Sequence, residues 1–298
     1  MKRKNPFKGL GVALATPFKQ DGTIDHPALE SLVEAQISGG IDFLCVLGTT
    51  AETPCLNEEE KQSVIDTVSR TNHGRVPMLL GAGGNNTQAV CASLKRMDLS
   101  AFEGVLIVCP FYNKPSQEGL YQHFHAVSEA SPVPVVLYNV PGRTGVNLEA
   151  DTTLSIAHDC PNVVAVKEAS GKIAQIEQII DHAPEGFEVL SGDDAITFEL
   201  LTLGAAGVIS VVGNAYPEAF GQMVHCALQH DYNTSLAIHR NLCECFRLLS
   251  ADGNPSGIKA LLSVQGKAQN VLRLPLVPAR AETLTALAEF ERKFNTRH

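Results

Sequence analysis

Short apolar runs alternate with amphipathic stretches from the start of the chain to about residue 230. The runs are Val12 to Ala15, Phe43 to Leu47, Pro77 to Leu80, Gly104 to Val108, Val135 to Tyr138, Val163 to Lys167, Phe187 to Leu190 and Gly207 to Val212. Runs without polar alternation suit parallel strands buried on both faces. Helical patterns separate them and begin near Pro27, Asn57, Thr87, Gln117, Leu148, Ile173, Ala195 and Pro217. In the second of these, Asn57 stands as an N-cap before Glu58-Glu59-Glu60, and Val64, Ile65 and Val68 follow at helical spacing.

Eight strand–helix units in order imply right-handed crossovers and closure into a (β/α)8 barrel, a TIM barrel. An open doubly wound sheet is the alternative, but it rarely repeats the unit so regularly. After Asp231 the strand signal stops. Leu236 to Leu249, Ile258 to Val264 and Ala281 to Phe294 read as helices, with breakers at Asp252-Gly253-Asn254-Pro255 and Pro275 to Pro278. The expected division is a catalytic barrel over residues 1–230 and a C-terminal helical extension over 231–298.

Composition narrows the function classes. With 44% hydrophobic and 18% charged residues, the 298-residue chain can bury a large core. A net charge of -9 argues against a nucleic-acid partner, which needs a basic face. The basic start Met1-Lys2-Arg3-Lys4 precedes an apolar stretch, Leu10 to Ala15, too short for a signal-peptide core, and no run approaches a membrane span. A soluble cytoplasmic protein without a membrane partner is expected. The eight cysteines show no paired C-x-x-C, so structural zinc is not expected and buried reduced thiols are.

In such a barrel catalytic groups stand at the C-terminal ends of the strands. Lys167 ends the sixth run after four apolar residues, which puts its amine at the inner mouth of a dry barrel. Desolvation there favours the neutral amine, a nucleophile toward keto groups whose iminium adduct is an electron sink. The competing reading is a lysine snorkelling outward or paired with Glu168. Adjacent strand residues point to opposite faces, which makes Glu168 a poor partner. Tyr138 stands at similar height on the neighbouring strand, where a phenol can carry protons. By itself, a strand tyrosine more often packs in the core.

Thr49 and Thr50 offer hydroxyls and loop N–H groups to a carboxylate, though they also fit ordinary turn chemistry. Arg143, in a Pro-Gly-Arg loop, can grip a carboxylate bidentately or simply be solvated. Gly81-Ala82-Gly83-Gly84 lacks dinucleotide-binding spacing, His123 and His125 cannot share a helix face, and nothing resembles H-E-x-x-H. Asp193-Asp194 is assigned to capping the following helix.

Taken together, Gly48-Thr49-Thr50-x-Glu52, Tyr138-Asn139-Val140-Pro141-x-Arg143-Thr144-Gly145 and Val166-Lys167-Glu168-Ala169 resemble the dihydrodipicolinate synthase/N-acetylneuraminate lyase family of class I aldolases, over about residues 7 to 298. The resemblance implies a lyase in which Lys167 forms a Schiff base with pyruvate. Tyr138, Thr49 and Tyr112 would relay protons, with Tyr112 reaching in from a neighbouring subunit of a homotetramer, a dimer of dimers. Thr50 would hold the pyruvate carboxylate, and Gly192 and Ile209 would line the pocket through their backbone. Arg143 points to the synthase members, in which it binds the carboxylate of L-aspartate 4-semialdehyde. The implied product is 4-hydroxy-tetrahydrodipicolinate, at the first committed step of lysine and diaminopimelate biosynthesis, with no cofactor. A sister aldolase that releases pyruvate from a sugar acid or hydroxy-oxo acid, and an inactive barrel used for binding, are the other readings.

Two positions depart from the family pattern: Ala51 where glycine is usual, strained only if its backbone is left-handed, and Phe111 where a tyrosine often stands. Lysine-inhibited members bind lysine through residues that include a histidine and a glutamate. Lys61 and Ala89 occupy the matching positions here, so feedback inhibition by lysine is expected to be weak or absent.

Overall fold

The structure is a computed structural model that describes residues 5–296; the basic start Met1-Lys2-Arg3-Lys4 lies outside the described residues. Eight parallel strands close into a barrel in sequence order: β1 (Gly9–Ala13), β2 (Phe43–Val46), β3 (Met78–Gly83), β4 (Gly104–Val108), β5 (Val135–Asn139), β6 (Val163–Glu168), β7 (Glu188–Ser191) and β8 (Gly207–Ser210). Strand β8 returns to β1 with Gly9 opposite Gly207 and Gly11 opposite Ile209. The doubly wound alternative is thereby excluded.

The helices between the strands are α1 (His26–Ser38), α2 (Glu58–Asn72), α3 (Thr87–Arg96), α4 (Gln117–Ala130), a single turn α5 (Pro141–Thr144), α6 (Ala150–Asp159), α7 (Ile173–His182) and α8 (Thr197–Thr202). Then come α9 (Pro217–Leu228), α10 (Tyr232–Ala251), α11 (Ser256–Val264) and α12 (Ala281–Asn295). The Asn57 signal works as a reciprocal capping box. Its Oδ1 accepts from the Glu60 N–H at 2.9 Å, while Glu60 Oε2 accepts from the Asn57 N–H at 3.0 Å. Among the described residues no helix is long and apolar enough to cross a membrane.

Two apolar layers hold the fold. The larger lies between strands and helices; the smaller fills the barrel interior with Phe43, Cys45, Leu79, Leu106, Val136 and Ile209. The first strand starts earlier than its apolar run because Gly9 and Gly11 are strand residues without side chains to read. A Cβ on Gly11 would lie 2.2 Å from the Phe43 ring, so the glycine makes room for a phenyl group inside the barrel. Phe7 meets Phe43 edge-on at 5.3 Å and helps close the N-terminal end of the barrel.

The cysteines depart in part from the sequence expectation. All eight are free, but Cys55, Cys91 and Cys226 are only half-buried and Cys243 is exposed, because they sit on loops and outer helix faces. Cys45, Cys109, Cys160 and Cys245 are buried.

Candidate active site

Lys167 and Tyr138 are register partners on β6 and β5. Their side chains therefore rise side by side from the interior. The Lys167 Nζ stands 4.4 Å from the centre of the Tyr138 ring, and Lys167 is only 5% exposed. Glu168 points the other way. Its carboxylate accepts from Asn139 Nδ2 at 3.1 Å, from Gln175 Nε2 at 3.1 Å and from the Ser170 N–H at 2.8 Å. It makes no ion pair with Lys167 in this arrangement, and its burial raises its pKa above the usual carboxylate value. Cys45 is buried in the barrel interior beside this site, and burial pushes its thiol up to about 11. A protonated thiol is a poor nucleophile.

Two adjoining cavities open at the C-terminal end of the strands and share Thr49, Tyr138, Val140 and Arg143. The inner one, about 320 Å3, is also lined by Thr50, Lys167, Gly192 and Asn254. The outer one, about 460 Å3, extends past Phe111 and Gly81 to Lys61. The donors Thr49, Thr50, Arg143 and Lys167 thus surround one space, which suits a ligand carrying carboxylate and carbonyl oxygens.

Each wall has a local cause. Thr49 and Thr50 sit in a short 3-10 turn, Thr49–Ala51, directly after β2. The left-handed positions are Leu47 and Glu52, both at φ 56°, whereas Ala51 lies in the turn and is buried, so its methyl group carries no backbone strain. Gly192 follows β7, with its N–H donating to the Glu168 carbonyl at 2.8 Å. A Cβ there would lie 2.7 Å from the Ala169 Cβ and 3.2 Å from the Lys167 Cε, so glycine leaves the space that the lysine stem occupies.

Some assigned residues stand elsewhere. Ile209 lies in the barrel interior and lines neither cavity, and Val211 takes its place on the wall. Tyr112 is 89% exposed, has φ 73° and lines neither cavity of its own barrel. Its loop is stitched to the next one: Asn85 Nδ2 donates to the Phe111 carbonyl at 3.1 Å, and Asn113 Nδ2 to the Asn85 carbonyl at 2.8 Å. Capping by the Asp193-Asp194 pair is corrected to Asp193 alone, which accepts from the Ala195 N–H at 3.0 Å. Asp194 instead clamps the end of β8, accepting from the Val211 and Val212 N–H groups at 3.0 and 2.7 Å, and burial pushes it up to about 6. Lys61 and Ala89 do share a cavity, about 580 Å3, on the outer flank of the barrel.

Sequence reasoning missed the residues that the C-terminal helices bring. Asn254 reaches Thr50, while Lys259 and Arg273 reach Glu52. Local pattern marked Asn254 only as a helix breaker, and nothing near Lys259 in the chain distinguishes it from a surface lysine.

A closed parallel barrel with one lysine emerging beside a tyrosine under a polar mouth has the form of a Schiff-base barrel lyase. Residues 6–292 match the dihydrodipicolinate synthetase family, and the chain belongs to that family. It is 55% identical over 277 residues to a 4-hydroxy-tetrahydrodipicolinate synthase of Phocaeicola vulgatus, with 93% of each chain covered. It is 53% identical to one of Parabacteroides distasonis, with 97% of each covered. Among solved structures it superposes on a dihydrodipicolinate synthase from Thermotoga maritima with a TM-score of 0.95 at 40% identity, covering 98% of this chain and 99% of the other.

Proposed function

We propose that the chain condenses pyruvate with L-aspartate 4-semialdehyde to 4-hydroxy-tetrahydrodipicolinate, with Lys167 as the covalent catalyst. The observation that carries this reading is the Lys167–Tyr138 pair, almost withdrawn from solvent at the floor of a cavity ringed by Thr49, Thr50 and Arg143.

The Lys167 amine attacks the keto carbon of pyruvate, and loss of water leaves an iminium. Loss of a methyl proton gives the enamine, whose terminal carbon bonds to the aldehyde carbon of the second substrate. The amine of that substrate then attacks the iminium carbon, expels the Lys167 amine and closes the ring. Tyr138 and Thr49 carry protons in these steps, joined by Tyr112 from a second copy of the chain, which its exposure on the parent barrel favours. Thr50 holds the pyruvate carboxylate and Arg143 that of the semialdehyde. Gly192 makes room for the lysine, while Ile209 packs in the barrel interior. The lysine is its own electron sink, so the reaction as written calls for no separate cofactor.

The same reading divides the chain into a catalytic barrel over residues 1–230 and a helical domain over 231–298, assembled as a homotetramer in the cytoplasm, where free thiols persist. Arg143 at the mouth favours the synthase over a sister aldolase, because a cation there matches the semialdehyde carboxylate. The test is turnover of both substrates, followed through a coupled reductase, for the wild type and Lys167→Ala. Turnover that the variant abolishes supports the reading. Pyruvate trapped on Lys167 by borohydride without turnover transfers it to a sister aldolase, and absence of both refutes it.

A further inference from the structure

The C-terminal helices enter the barrel mouth at Asn254, in the turn between α10 and α11. This one residue touches both groups assigned to the two substrate carboxylates. Its Nδ2 donates to Thr50 Oγ1 at 2.9 Å, and its backbone carbonyl accepts from Arg143 Nη2 at 2.9 Å. Asn254 also lines the inner cavity together with Lys167. We infer that Asn254 is a positioning residue that turns the Thr50 hydroxyl proton toward the pyruvate carboxylate while its main chain holds Arg143 opposite. This inference rests on the roles proposed above for Thr50 and Arg143.

Donor and acceptor supply decides the effect. A threonine hydroxyl has one proton to donate and lone pairs to accept with, whereas a carboxylate only accepts. With the Asn254 amide donating to the oxygen, the Thr50 proton is released for an acceptor inside the cavity. Without that amide the hydroxyl is free to rotate, and its order must be supplied on binding. An aspartate at the same position would only accept. It would draw the Thr50 proton to itself and set a negative charge near the incoming carboxylate. Pyruvate affinity therefore falls in the order asparagine, alanine, aspartate at position 254. The contact to Arg143 comes from the main chain and survives all three side chains, so the semialdehyde KM moves less than the pyruvate affinity.

The experiment is a double-mutant cycle on the full-length protein, read as half-saturation of borohydride trapping by pyruvate, with KM for each substrate and a melting curve for every variant. Asn254→Ala is expected to weaken pyruvate by about fivefold to tenfold in the wild-type background, the scale of one hydrogen bond to a charged ligand's partner, and by less than about twofold in Thr50→Val. Asn254→Asp is expected to be weaker still, with melting unchanged. Unaltered pyruvate affinity in Asn254→Ala, while Thr50→Val is impaired, overturns the inference and leaves the proposed role of Thr50 intact. Equal losses in both backgrounds also overturn it. Normal pyruvate trapping in Thr50→Val instead removes the role of Thr50 itself, and the inference with it.

Discussion

The ammonium of Lys259, on α11, closes an ion pair with the carboxylate of Glu52, at the end of the Thr49–Thr50 turn, and both side chains are withdrawn from solvent. The other Glu52 oxygen accepts from the Arg273 N–H at 2.9 Å, and Lys259 also donates to the Val271 carbonyl at 2.9 Å. Lys259 lies 3.9 Å and Arg273 4.5 Å from the centre of the Phe18 ring. Burial pulls the Lys259 amine down to about 8 against the pull of Glu52. Helix α11 and the segment after it thus hold the Thr49–Glu52 turn through charges placed inside the protein.

Buried pairs respond asymmetrically to substitution. Lys259→Met leaves the Glu52 charge without its partner and is expected to cost about 3–5 kcal/mol of stability. Adding Glu52→Gln removes that charge, so the double variant should recover much of the loss. Urea titrations of the single and double variants check this, and a double variant no more stable than Lys259→Met would contradict it.

Tyr138→Phe keeps the ring beside Lys167 and removes only the hydroxyl. Its kcat should fall by about 10²–10⁴-fold, the range for loss of a general acid–base group, while pyruvate trapping on Lys167 persists. A kcat within twofold of the wild type would assign proton transfer to another group.

For Arg143→Ala the expected change is specific to the second substrate. Loss of a charged hydrogen-bond donor, about 1.5–3 kcal/mol, raises the semialdehyde KM by roughly 10- to 100-fold. Pyruvate trapping should change little, and steady-state kinetics with each substrate varied in turn separate the two.

Asp194 sets a pH dependence on stability. Its folded-state pKa is raised to about 6, chiefly by burial, above the ordinary value of 3.8. The folded state therefore holds this proton more tightly than the unfolded chain. The associated stability is full below about pH 4 and is lost as pH rises through about 6, by roughly 3 kcal/mol. Asp194→Asn keeps an acceptor for the Val211 and Val212 N–H groups and removes the titration. Denaturation curves from pH 4 to 7 should show the variant gaining on the wild type across that window, and parallel curves would show that Asp194 does not titrate there.

L-lysine should inhibit weakly or not at all. Lys61 lines the flank cavity and Ala89 supplies no carboxylate there, so an added ammonium meets a cation and lacks its counter-ion. Activity at millimolar L-lysine should stay close to that without it, and half-inhibition at micromolar concentration would refute this.

The sequence by itself determined the barrel, because most strand positions are buried on both faces and so appear as a short, largely apolar run within one window. It also determined Lys167, Tyr138, Thr49, Thr50 and Arg143 as a candidate set, since strand ends in such a barrel converge on one mouth. Where it misread, short-range pattern was not enough. Gly9 and Gly11 in β1 have no side chain to read, since the Asp42 carboxylate fills the space in front of Gly9 and the Phe43 ring that in front of Gly11. Asp194 resembles a helix cap but bonds the backbone after β8. Only the tertiary structure decided that Asn254, Lys259 and Arg273 reach the Thr49–Glu52 turn. Those contacts span some two hundred residues, and a lysine on a helix or an asparagine in a turn looks the same locally whether it meets water or, as here, the Thr49–Glu52 turn across the barrel mouth.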